Sequence, residues 1–253
     1  MKLYQMLTVL AFSMAHSCAF AHDTESRVAL ELETPSAISA GQTTVSFQLV
    51  DTKTKKVVTP ADLNVSNTMK LHFIAYDPAL KEFQHVHPDF DGKVWNVAMN
   101  FAVNGSYFVW AEGQLSSDSE DFNSMTRIDV SCGQPAWPDP VLGDVRTGSL
   151  TGSVATLSGD AIRKGTMNMR MLQITKTDGT PGEITPYLGA FAHLIATPID
   201  GDSLIHIHAM DGDMPNEGTV HVTFPDAGDY RIWVQFVDSG VLKTIPLSVT
   251  VID

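Results

Sequence analysis

The sequence predicts an all-β protein made of two tandem antiparallel β-sandwiches, immunoglobulin-like or cupredoxin-like. Three observations predict this. Apolar residues recur with period two, as at Val45, Phe47 and Leu49, or Val220, Val222 and Phe224. Asp-Gly and Asn-Gly turns punctuate the runs at intervals of roughly ten residues. Finally, the chain repeats itself: FAVNGSYFVW, beginning at Phe101, lies against FPDAGDYRIW, beginning at Phe224, with Phe, Gly, Tyr and Trp at equal spacing.

Taken in order, residues 1–21 have the form of a secretory signal. Lys2 gives the positive start, residues 3–12 an apolar stretch, and Ala19-Phe20-Ala21 a small-x-small cleavage site. Lipidation at Cys18 is the alternative, approached poorly by Ala15-His16-Ser17. Cleavage after Ala21 predicts a periplasmic or secreted protein without membrane insertion. It leaves Cys132 as the one cysteine, so no internal disulfide can form. His22 would become the new N-terminus, where its amine and imidazole can chelate copper(II); a mobile tail residue is the plainer reading.

The first module is expected over residues 22–131 and the second over 149–253, joined by a Pro- and Gly-rich linker over 132–148. GQTTVSFQLVD, from Gly41, and KGTMNMRMLQI, from Lys164, align as corresponding strands. On that alignment Met167, Met169 and Met171 form a core-facing stripe, a common use of methionine. The formal charge of −13 disfavours nucleic acid and anionic membrane as partners and favours cations.

The chemistry concentrates in histidine. Six of the nine histidines fall into two trios of identical spacing: His72, His85 and His87, then His193, His206 and His208. In each, a lone histidine is followed thirteen residues later by His-x-His. A hairpin loop at Pro198-Ile199-Asp200-Gly201 would pair His193 with His206 and leave His208 on the same face. Asp77-Pro78-Ala79-Leu80 would likewise pair His72 with His85, beside His87. Opposed side chains begin about 5 Å apart, so one ion could bridge three rings. A slip of one residue would put the lone histidine on the other face.

Three neutral imidazoles suit copper(II), zinc and nickel, and affinity order favours copper. Met210, two residues past His208, and Met69 and Met99 near the first trio would favour copper(I). His221 alternates with apolar neighbours and is expected on an exposed face. Asp89, Asp91, Asp211, Asp213 and Glu217 follow the His-x-His pairs and are read as acidic turns, with a fourth ligand or a calcium loop as the alternative. Tyr107, Trp110, Tyr230 and Trp233 are read as structural. No P-loop, Gly-x-Ser-x-Gly or His-Glu-x-x-His is present.

TPYLGAFAHLIA, HIHAMDG and FPDAGDYRIWVQFVDSG together resemble a family of exported bacterial proteins of largely unassigned function. Its pattern runs Tyr-Leu-Gly-Ala-x-x-His, His-x-His-Pro, then Phe-Pro-x-Pro-Gly-x-Tyr-Arg-x-Trp-x-Gln-Phe. The resemblance spans about Thr185 to Val251 well and the first copy more loosely, and it implies heavy-metal or copper handling. Ala209 and Ala227 stand where the family has proline; the first copy keeps Pro88 but lacks the Tyr-Leu-Gly-Ala lead.

The sequence thus predicts a copper-binding protein for sequestration or delivery, with one three-histidine site per repeat and a periplasmic copper-handling protein as its partner. A zinc-dependent hydrolase or hydratase is the rival, since three histidines with an open position can lower the pKa of bound water towards about 7. An adhesive or scaffolding module with bystander histidines is the third reading.

Overall fold

A computed structural model describes residues 26–253 apart from residues 66 and 67. The signal segment, Cys18 and His22 lie outside the described residues. In the first module the strands are β1 (Val28–Leu32), β2 (Ala37–Ser39), β3 (Gly41–Asp51), β4 (Leu71–Tyr76), β5 (Phe83–Val86), β6 (Asp89–Phe90), β7 (Trp95–Phe101), β8 (Gly105–Gln114) and β9 (Asp121–Ser131). In the second they are β10 (Thr147–Leu150), β11 (Ser153–Ser158), β12 (Ile162–Arg163), β13 (Asn168–Lys176), β14 (Ile184–Thr185), β15 (Ala192–Pro198), β16 (Ile205–Asp211), β17 (Glu217–Val222), β18 (Gly228–Asp238) and β19 (Val241–Ile252).

The first module pairs β1-β3-β7-β6 in one sheet and β2-β9-β8-β4-β5 in the other, with β2 running parallel to β9. That is the immunoglobulin order, one sheet of A-B-E-D type facing one of G-F-C-C′ type. The second module repeats it with β11-β13-β17 and β12-β19-β18-β15-β16, and β16 also pairs with β17, so its two sheets join along one side. In the first module β5 and β7 are not paired there; the Gln84 side chain bridges them, bonding the backbone of Asn100 at both N–H and carbonyl.

Each sandwich has its own core. Val45, Phe47, Leu49, Phe73, Trp95 and Val109 belong to the first, and Leu172, Ile174, Leu194, Val220, Ile232 and Val249 to the second. Tyrosine corners mark both: the Tyr107 hydroxyl donates to the Val103 carbonyl at 3.3 Å, and Tyr230 to Asp226 at 3.2 Å. The repeated Gly-x-Tyr-x-x-Trp is therefore structural at its tyrosine.

Strands β4 and β15 are buried along their whole length, Leu71–Tyr76 and residues 192–197. Alternate residues explain this. Leu71, Phe73 and Ala75 face the first core, whereas Ile74 and Tyr76 join a third apolar cluster with Phe108, Trp110, Ile195 and Trp233. This cluster lies between the modules, where the outer faces of the two C-F-C′ sheets pack on each other. Tyr76 stacks on Trp233 at 5.2 Å, receives the Trp110 indole N–H at 2.7 Å and donates to the Gly201 carbonyl at 2.8 Å. Such side chains contribute about 1.5–3 kcal/mol each when fully buried.

Two expectations are corrected here. Met167, Met169 and Met171 do not face the core; they are 66%, 61% and 43% exposed. The inward residues of β13 are Asn168, Arg170, Leu172 and Ile174, so the alignment of this strand with β3 is one residue out. Arg170, not a methionine, corresponds to Val45, each opposite an inward valine of the next strand. Met99 is buried in the first core, on the face away from the histidines.

Candidate metal centre

Strands β4, β5, β15 and β16 carry five of the trio histidines, and His87 immediately follows β5. The hairpin registers differ from expectation by two residues: His193 pairs with His208 and Ile195 with His206, while Ile74 pairs with His85. In the second hairpin Thr197 turns inward at the start of the loop, its hydroxyl donating to the Ser203 carbonyl at 2.7 Å. A shift of two preserves parity, so all three rings of each trio still share a face. Within each trio the candidate ligand nitrogens lie within 4.8 Å of one another, and each trio could hold a metal ion. Among the described residues Asp89, Asp91, Asp211, Asp213 and Glu217 do not join these groups.

That shared face is the module interface, which the spacing of the trios does not predict. His72 and His206 have ring centroids 5.0 Å apart, His85 and His206 5.3 Å, and His85 and His193 6.2 Å. The two trios therefore form one six-imidazole cluster at one end of the apolar interface. His72, His85 and His193 are buried, and His87, His206 and His208 partly so.

Two further residues complete the cluster, and sequence analysis missed both. His85 Nδ1 lies 2.7 Å from Gln235 Oε1, and His206 Nδ1 lies 2.9 Å from Glu112 Oε2. Glu112 and Gln235 each sit two residues past the repeated tryptophan, on β8 and β18, opposite the lone histidine of their own module. Each orients the first histidine of the other module's His-x-His. Both oxygens can only accept, so each Nδ1 carries a proton, and in the neutral ring Nε2 is the atom left bare. An imidazole fixed this way by a carboxylate or amide is the usual arrangement behind a metal-bound histidine. The available signal was their equal offset from Trp110 and Trp233.

The bare Nε2 of His85 lies 3.0 Å from His72 Nδ1, and that of His206 lies 3.0 Å from His193 Nδ1. Each contact is a place where a cation could replace one shared proton. Among the described residues the buried Nε2 atoms of His87 and His208 have no hydrogen-bond partner, a costly state for polar atoms. Burial is the main cause that lowers the pKa of His193 to about 4 and of His208 to about 3, with repulsion from His206 second. Burial also depresses His85 strongly and His87 to a lesser degree. Four rings are thus held neutral, the state a metal requires.

The Tyr-Leu-Gly-Ala lead closes the second trio. Leu188 and Gly189 both have positive φ, 48° and 77°, and Tyr187 and Ala190 bond each other's backbone in a tight turn. The turn sets the Tyr187 ring edge-on to His193 at 5.5 Å. A side chain at Gly189 would lie 3.3 Å from Thr68 of the first module, so the turn also seals the interface.

Residues 148–253 match a family model described as a domain of unknown function, DUF8832. No curated protein matches the chain. Among solved structures, the chain is similar to the Escherichia coli adhesin FdeC, at 12% identity and TM-score 0.28, covering 90% of this chain and 64% of that one. It is also similar to fibronectin(III)-like modules of Clostridium thermocellum CbhA, at 13% identity and TM-score 0.23, covering 88% and 92%. A chimeric titin Z1Z2 tandem gives 11% and 0.23, covering 90% and 100%. The immunoglobulin assignment itself rests on strand order and the two tyrosine corners.

Among the described residues no helix is long and apolar enough to cross a membrane. Cys132 is exposed, away from the cluster, in the segment between β9 and β10.

Proposed function

We propose that this is an exported, periplasmic metal-binding protein that holds copper in the interface between its modules, for sequestration or delivery rather than catalysis. One observation carries the reading: in each repeat three imidazoles converge, with candidate ligand nitrogens within 4.8 Å of one another, and among the described residues the buried Nε2 atoms of His87 and His208 have no hydrogen-bond partner. His72, His85 and His87 would hold one ion; His193, His206 and His208 would hold another. Three neutral nitrogens favour copper over zinc by affinity order. The family resemblance and the net charge of −13 support cation handling in the same direction. Enclosure of His72, His85 and His193 between packed sheets favours retention of an ion over turnover of a substrate, which sets a zinc hydrolase or hydratase second. A periplasmic copper-handling protein would be the partner for transfer.

Competitive titration of the full chain with copper(I), copper(II) and zinc tests this, alongside alanine replacement of each trio. Loss of one copper(I) equivalent with each trio is expected. The rim substitutions His87→Ala and His208→Ala, with folding checked by near-ultraviolet circular dichroism, separate lost ligands from lost structure. No tight metal in the folded wild type overturns the proposal, and a zinc preference moves the enzyme reading forward.

A further inference from the structure

The outer face of the second module carries an anomaly. Met167, Met169, Met171 and Met210 are between 43% and 66% exposed; Met169, Met171 and Met210 lie on strands that pack a core with their other face, and Met167 immediately precedes β13. Isolated exposed apolar residues are ordinary, but a contiguous group calls for an explanation. The pairing registers make this group contiguous. Met169 lies directly opposite His221, and Met171 and Met210 flank Thr219 from either side. Directly opposed side chains start about 5 Å apart, within reach of flexible thioethers.

The duplication supplies an internal control. By the pairing of β3 with β7, the first module's counterparts of Met169 and His221 are Thr44 and Ala98, and those of Met167 and Met171 are Gln42 and Ser46. The fold therefore does not need thioethers on this face. Three methionines and a histidine stand in the second copy where the first has Gln42, Thr44, Ser46 and Ala98.

The face also leads to the histidine cluster. His206, His208 and Met210 alternate along one side of β16, which joins β15 to β17 and carries that side onto the outer sheet. A shallow cavity of about 350 Å³ is lined by Met169, Met171, Asp211, Asp213 and Glu217. Its neighbour of about 340 Å³ is lined by His208, Met210 and the same Asp211. One acidic residue thus edges both hollows, between the methionine face and the rim of the metal centre.

From this we infer a second metal site: Met169, Met171 and His221, with Met167 and Met210 beside them, bind a soft monovalent cation, copper(I), and Met210 passes it towards His208. Thioether sulfur selects copper(I) and is a poor zinc ligand. The acidic rim of Asp211, Asp213 and Glu217 draws the cation in without competing for it, because hard carboxylates suit other ions. Weak thioether coordination suits an entry site, and the harder, enclosed imidazoles suit storage. The inference extends the copper reading of the histidine centre.

Silver(I), a redox-silent stand-in for copper(I), tests it on the full chain. The variant replaces Met167, Met169 and Met171 by Leu, which keeps their size and apolarity. Wild type is expected to bind one silver equivalent more than this variant, while zinc binding to the two is equal. In wild type, the methyl carbon resonances of Met169, Met171 and Met210 should shift on silver addition and stay fixed on zinc addition. Equal silver stoichiometry in wild type and variant, or methyl resonances that ignore silver, overturns the entry site while leaving the histidine centre standing. Silver bound only at the methionine face, with every trio histidine unperturbed, would instead overturn the histidine reading and spare this one.

Discussion

Glu112 of the first module accepts a hydrogen bond from His206 of the second at 2.9 Å, and Gln235 of the second does the same for His85 of the first at 2.7 Å. The two residues occupy one position of the duplicated strand, so the two trios are supported in the same way by a carboxylate in one case and an amide in the other. A carboxylate makes the imidazole behind it a stronger donor than an amide does. The second trio should therefore bind a given ion more tightly than the first.

Exchange of the two residues tests this asymmetry. Glu112→Gln should weaken the second trio by about ten- to a hundredfold, the range for lost partners of this kind. The double exchange, Glu112→Gln with Gln235→Glu, should transfer the tighter site to His72, His85 and His87. Zinc titration with the imidazole nitrogens followed by NMR identifies which trio loads first. An unchanged loading order in the double exchange would show that these side chains do not tune the metal.

The buried rings set a pH dependence for the metal-stripped protein. The pKa of His193 is lowered to about 4, so below about 6.5, the unfolded value, the unfolded chain binds more protons than the folded one. Stability is then complete at neutral pH, falls as pH drops below about 6.5, and stops falling near the folded value. His193 alone should cost about 2 kcal/mol at pH 5. His208, lowered to about 3, adds in the same direction. Urea unfolding at pH 7.5 and 5.0 measures it, and His193→Gln should flatten the profile. Equal midpoints for wild type at both pH values would contradict the burial assigned to these rings.

Tyr76 ties the modules together at the other end of the interface. Its hydroxyl takes the Trp110 indole N–H, reaches Thr197 Oγ1 at 3.2 Å and donates to the Gly201 carbonyl. The second copy has Thr197 at the position of Tyr76, and Trp233 Nε1 correspondingly has no partner among the described residues. Tyr76→Phe keeps the stack on Trp233 but strands the Trp110 donor, at an expected cost of about 1–3 kcal/mol. Thermal unfolding should show a lower midpoint, with metal stoichiometry retained. A midpoint equal to wild type would mean that this hydroxyl adds nothing to docking.

Period-two patterning and the duplication made the fold legible, because each strand of a sandwich alternates between core and solvent. The same rule misplaced Met167, Met169 and Met171, since it says which residues share a face but not which face is inward. The trios were legible because parity survives a register error of two residues. Their convergence was not legible, because contacts such as His85 with His206 depend on how two modules dock, and no local pattern encodes that. The full burial of β4 and β15 held a clue: LHFIAY and AHLIAT are apolar on both faces apart from the lone histidine and a terminal hydroxyl, as expected of strands covered on both sides.

The closeness of the two trios bears on which ion fills both. Ions held by rings 5.0–6.2 Å apart repel each other directly. At about 6 Å and an effective dielectric near 20, two dications repel by on the order of 10 kcal/mol, and two monocations by about 3 kcal/mol. The Glu112 carboxylate is the acidic group bonded into the cluster, and it offsets only part of the larger figure. Zinc or copper(II) should therefore load as one tight equivalent, with a second that is weaker by at least about ten-thousandfold. Silver(I) or copper(I) should fill both trios with a much smaller gap between steps. Calorimetric titration of zinc and silver into the methionine-to-leucine variant, which lacks the outer site, compares the two cases cleanly. Two zinc equivalents of equal, tight affinity would show that the trios are electrostatically independent despite their contact.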